Sequence, residues 1–121
     1  MRGTDLFPTM EQLDGAILFF ETSEEKPESS FVECAMRTYA VMGILDKISG
    51  IIWGKPQDEA HYADYKYVIK KVLAEYNKSD LPVLFNMNFG HCEPKFCIPY
   101  GAIAEIDCDN KSFTILESAV I

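Results

Sequence analysis

Three short apolar runs, separated by two stretches of helical periodicity, set the plan of this chain. Ala16 to Phe20 is continuously apolar, Gly50-Ile51-Ile52-Trp53-Gly54 is the second run, and Pro82 to Phe85 is the third. An unbroken run of this length suits a strand covered on both faces, so the first run is expected to be a central strand. After the acidic loop Glu21 to Lys26, Pro27 supplies the φ angle of a first helical turn and Glu28 complements the helix dipole. Phe31, Val32, Ala35, Met36, Tyr39 and Met42 then recur at helical spacing, and Gly43 is a suitable stop. A second helix is predicted from about Glu59 to Tyr76. It places Tyr62, Tyr65, Ile69, Val72, Leu73 and Tyr76 on one face, and Asn77 can end it in a left-handed conformation. From Asn86 to Pro99 the residues Gly90, Pro94 and Pro99 forbid a long element. Gly101 breaks the chain again. Ala102 to Asp107 and Ser112 to Leu116 then alternate like a hairpin around Asp109-Asn110.

Strand, helix, strand, helix, strand and hairpin make an α/β domain. Strands separated by helices imply parallel neighbours with right-handed crossovers, and the hairpin adds antiparallel strands, giving a mixed sheet. The sequence holds no internal repeat. Residues 1–14 carry no periodicity and are punctuated by Gly3 and Pro8, with Gly15 following. They are expected to be a connector between domains, with the folded unit at 15–121, and such an opening suggests a chain cut out of something longer.

At 121 residues the chain is one domain by length and can bury a core without covalent staples. Its 19 acidic residues against 11 Lys and Arg give a net charge of -8. That charge repels a phosphate backbone and anionic lipid surfaces, so neither nucleic acid nor membrane is an expected partner. No apolar run reaches membrane-spanning length, and Met1 to Thr9 has no signal-peptide pattern. Cys34, Cys92, Cys97 and Cys108 lack the rhythm of a disulfide scaffold, so free thiols in a reducing cytoplasm are expected.

Two residues could carry chemistry. Glu21 closes the first apolar strand, at the sheet edge where α/β proteins gather ligands and catalytic groups. From its position alone, a solvated member of the acidic loop, like Glu24 and Glu25, is the simpler reading. His91 follows Gly90 in the loop after the third strand. A neutral imidazole there can move a proton, provided a carboxylate fixes its tautomer through the other nitrogen. Glu21 could do so if strands one and three lie side by side. The bland alternative is a histidine that satisfies loop carbonyls. His91, Cys92, Cys97 and Cys108 are close in sequence, but their spacing matches no zinc pattern, so neither metal nor cofactor is expected; a metal-binding regulator is a minor reading. Cys92 adjoins His91, yet neighbouring side chains of an extended segment diverge, and a small buried hydrophobe is the simpler reading of this thiol. Ser23, Ser29 and Ser30 lie in a loop and at a helix start, where capping explains them. No Gly-x-Ser-x-Gly elbow, phosphate loop or dinucleotide fingerprint is present. The chain thus offers a base and an orienting acid without a nucleophile.

Gly15-Ala-Ile-Leu-Phe-Phe-Glu21-Thr-Ser, Gly50-Ile-Ile-Trp-Gly-Lys-Pro56, Leu81-Pro-Val-Leu-Phe-Asn86, Asn88-Phe-Gly-His91 and Ile98-Pro-Tyr-Gly101 follow one another in an order and spacing that resembles the C-terminal domain of the LD-carboxypeptidase serine peptidases. The microcin C immunity branch is the nearer likeness, through Glu21-Thr-Ser-Glu-Glu25 and the stretch ending in Gly90-His91. The resemblance implies a swivelling β/β/α-type fold and a Ser–His–Glu triad, with Glu21 as orienting acid and His91 as general base. It also implies a serine and an oxyanion hole in a separate N-terminal domain, which these residues do not contain. The expected partners are therefore that N-terminal nucleophile domain, a second copy of the protein in a homo-oligomer, and a substrate that is either a small muropeptide with terminal D-alanine or a microcin-like aminoacyl nucleotide. The chain alone is expected to be inactive and to expose a face that the N-terminal domain would cover. The alternative from another class is a stand-alone binding module that keeps the fold without the chemistry.

Overall fold

The computed structural model describes residues 4–120, so Gly3 and the first two residues of the expected connector lie outside the described residues. Three strands, β1 (Ile17–Phe20), β2 (Gly50–Gly54) and β3 (Val83–Met87), form a parallel sheet in the order β1-β2-β3. The crossovers carry helices α1 (Ser29–Val41) and α2 (Tyr62–Glu75), and β4 (Ala104–Asp107) pairs antiparallel with β5 (Ser112–Ile115). The hairpin makes its own two-stranded sheet rather than extending the parallel one.

The register explains the core. Leu18, Ile51 and Val83 align in one row across the sheet, and Phe20, Trp53 and Phe85 in the next. All six face the helices, where Val32 and Met36 of α1 and Tyr65, Val68, Ile69, Val72 and Leu73 of α2 close over them. Phe20 and Phe85 flank Trp53 with ring centroids 5.4 and 6.4 Å away. Strand side chains alternate, so Phe19 and Ile52 point to the opposite face. There Phe89 and Tyr100 pack against Phe19, and Gly50 leaves room for the Ile106 side chain, which a Cβ would meet at 2.7 Å. The sheet is therefore covered by helices on one side and by the C-terminal loop and hairpin on the other.

Four expectations are corrected. β2 is the central strand and is buried at all five positions, whereas β1 is an edge strand and only half-buried. A continuous apolar run reports two covered faces but not whether both edges are paired. The second helix starts at Tyr62 rather than Glu59, because Asp58, Glu59 and His61 all take positive φ and cannot join a right-handed helix. The first helix starts at Ser29, with Glu28 still extended at ψ 148°, so Pro27 stands before the first turn instead of in it. Phe31, counted on the apolar stripe, points to solvent. The helix ends follow expectation. Gly43 takes φ 77° after α1. Asn77 takes φ 57° after α2, with the Lys78 amide donating to the Leu73 carbonyl at 2.7 Å in a Schellman closure.

Candidate active site

Glu21 follows β1 directly and His91 follows β3, yet β2 lies between those strands. The condition that strands one and three be neighbours is not met. The two side chains meet all the same, with His91 Nδ1 2.6 Å from Glu21 Oε2 across 70 positions of sequence. Three local features bring them together. The β2–β3 register slips between Trp53 and Gly54, and Asn86 takes φ 72°, which turns the end of β3 over its neighbour. Gly54, at the end of β2, is the floor of the crossing: a Cβ there would stand 2.9 Å from the Phe89 carbonyl and 3.1 Å from Glu21 Cβ. Gly90, at φ 85°, makes the closest approach, since a Cβ would lie 2.6 Å from Glu21 Oε2. Two glycines and one bulge thus let a loop from β3 pass over β2 and reach β1.

The loop that carries Glu21 is anchored from below. Thr22 is buried, and the Tyr65 hydroxyl of α2 donates to the Pro27 carbonyl. Burial raises the Tyr65 phenol above its ordinary range, which keeps it a neutral donor. Lys26 pairs with Asp58 at 2.6 Å and ties the same loop to the segment before α2. The periodic stripe marked Tyr65 as core, but its hydroxyl fastens the acid-bearing loop as well. Polar work at the tip of a buried aromatic leaves no trace in periodicity.

The ring of His91 has a second acidic neighbour. Glu24 Oε2 lies 3.0 Å from Nε2. The proton affinity of His91 is raised, chiefly by its hydrogen bond with Glu21, then by the charge of that carboxylate, with Glu24 adding and burial and Lys95 opposing. Glu24 looked like an ordinary loop acid in the sequence; the usable signal was its position three residues after Glu21 in a tight turn, closed by the Lys26 amide on the Ser23 carbonyl. His91 also lines an open cleft of about 470 Å³ with Lys55, Gln57, Asp58 and Glu59. The lysines on this side are engaged: Lys55 with Glu59 at 3.3 Å and Lys95 with Glu93 at 2.8 Å.

The other candidates separate from the pair. Cys92 is buried, with its thiol donating to the Phe89 carbonyl at 3.4 Å, so it serves the turn as a small packed group. Cys34, Cys97 and Cys108 are exposed, and all four thiols are free. Trp53 belongs to the core. Ser29 and Ser30 lie in the first turn of α1 and Ser23 in the turn after Glu21. Chemically, the arrangement can hold an imidazole in one orientation and charge it; among the described residues it brings no hydroxyl or thiol to Nε2.

Known proteins resemble this chain in sequence and in fold. The Escherichia coli microcin C7 self-immunity protein MccF is 32% identical over 116 residues, which is 95% of this chain and 32% of that protein. A solved MccF-like protein from Streptococcus pneumoniae, in complex with AMP, superposes with a TM-score of 0.78 at 34% identity. That match covers 91% of this chain and 31% of that one. The chain thus spans about a third of the length of these relatives. Residues 1–106 match the LD-carboxypeptidase C-terminal domain family, to which this chain belongs.

Proposed function

We propose that the chain is the C-terminal part of a serine peptidase, supplying the acid and base of a Ser–His–Glu triad and inactive without its N-terminal domain. The observation that carries this reading is the 2.6 Å contact between Glu21 and His91, made across a strand by two glycines. In the proposed reaction a serine Oγ from the N-terminal domain attacks the amide carbonyl and gives its proton to His91 Nε2. Glu21 accepts the Nδ1–H hydrogen bond, fixes the tautomer and stabilises the imidazolium. The imidazolium returns the proton to the departing amine, and water then cleaves the acyl-enzyme by the same route. Residues 1–14 connect the two domains in this reading.

The substrate is a muropeptide with a terminal D-alanine or a microcin-like aminoacyl nucleotide. The likeness to a microcin immunity protein and to a relative solved with AMP supports the second. Cleaving such a compound would confer immunity to it. The complete protein is proposed to act in the cytoplasm as a homo-oligomer. Phe96, Tyr100 and Ile103 stand exposed on the loop that follows His91, which fits a face that another domain covers.

The test is hydrolysis of an LD-linked muropeptide and of an aminoacyl sulfamoyl adenosine. Two samples are compared: the isolated chain, and a chimera in which it replaces the C-terminal third of a relative. Turnover by the chimera alone is expected. Robust turnover by the isolated chain would refute the division of labour.

A further inference from the structure

Glu24 sits where the working base needs open space. A general base accepts its proton at Nε2, with Nδ1–H held by the orienting acid. Here a carboxylate oxygen stands 3.0 Å from Nε2 while another stands 2.6 Å from Nδ1. An ionised carboxylate only accepts hydrogen bonds, and a neutral imidazole that donates from Nδ1 presents a lone pair at Nε2. Two lone pairs at that separation repel, so the two contacts are favourable together only when both ring nitrogens carry protons. In that state His91 has no pair of electrons to offer a hydroxyl.

The surroundings single out Glu24. On the loop of His91 itself, Cys92 is buried and Glu93 is paired with Lys95. Across the cleft Asp58 is paired with Lys26, and Glu59 with Lys55. Glu21 is held under Gly90, whereas Glu24 is far more exposed and is carried by a surface turn.

We propose that Glu24 is a displaceable gate: it parks His91 as an imidazolium in the lone domain and must leave Nε2 before that nitrogen can take a proton from a nucleophile. This rests on the proposed role of His91 as base. In the complete protein, the arriving serine hydroxyl would take the position now held by the Glu24 oxygen, so docking of the nucleophile domain and release of the base become one event. Glu24 is thereby a positioning residue that acts through His91.

The experiment is a nitrogen-15 NMR titration of this chain labelled at histidine, with His91→Asn to assign the signals. Parent, Glu24→Gln, Glu24→Ala and Glu21→Gln are compared. The parent is expected to keep both ring nitrogens protonated past the ordinary histidine midpoint near 6.5. Both Glu24 variants should move the midpoint down and shift the Nε2 resonance more than Nδ1. Glu24 variants that titrate like the parent would overturn the gate. If Glu21→Gln alone lowers the midpoint, the gate is lost while the Glu21–His91 pair remains. If the Glu24 variants alone lower it, the gate stands and the orienting acid is lost.

Discussion

The helix-covered face of the sheet and the carboxyl ends of its two outer strands differ in what holds them. The helix-covered face is a dry layer in which Ile51, Met36, Tyr65 and Val72 are almost wholly out of solvent. The ends of β1 and β3 are held instead by polar contacts and close backbone approaches, with Glu21, Glu24 and His91 all partly open to solvent. The first region carries the stability, and the second carries the proposed chemistry. Changes in one should therefore leave the signature of the other standing.

The largest break belongs to the core. Met36→Ala removes a fully buried side chain and should cost about 2–5 kcal/mol in urea unfolding. Under conditions where the variant is folded, the His91 ring resonances should match the parent. A lost His91 signature in a folded variant would show that the two regions are not separable.

Gly90→Ala attacks the other region. The left-handed φ of 85° costs a non-glycine residue about 1–2 kcal/mol, and the new methyl would stand 2.6 Å from the carboxylate it must clear. We expect modest destabilisation together with loss of the Glu21–His91 signature. Retention of that signature would mean that the glycine is not what permits the crossing.

Tyr65→Phe tests the link between the regions. It removes one hydrogen bond to the Pro27 carbonyl and should cost about 0.5–1.5 kcal/mol. Hydrogen exchange should rise in the loop from Glu21 to Glu28 before it rises in α2. Uniform loosening would assign Tyr65 to the core alone.

The smallest effect is a pH dependence. The folded state raises the proton affinity of His91, so its contribution to stability is complete below the ordinary value of 6.5 and fades as pH rises through the folded value. The difference in urea midpoint between the parent and His91→Asn should therefore shrink with rising pH. A difference that grows with pH would contradict the ion pairs at the ring.

The sequence disclosed most of the first region and half of the second. Strand runs and helix stripes are burial read one residue at a time, which is why Ile51, Tyr65, Ile69 and Val72 were legible. The edge position of β1 was not, because an apolar run says nothing about which strand its neighbours pair with. Glu21 and His91 could be named from a strand end, a loop and a resemblance. How they would meet was misjudged, since the expected adjacency of β1 and β3 is replaced by a bulge at Asn86 and bare backbone at Gly54 and Gly90. Glu24 was hidden among other loop acids, because only the turn after Glu21 folds it back on the ring.

The most direct test of the account is the rate of amide hydrolysis by the chimera that restores a nucleophile domain, measured for the parent and for His91→Ala. The account predicts a loss of about 10²–10⁴-fold in kcat, the range of a positioned proton-transfer group. A His91→Ala chimera that turns over as fast as its parent would contradict it.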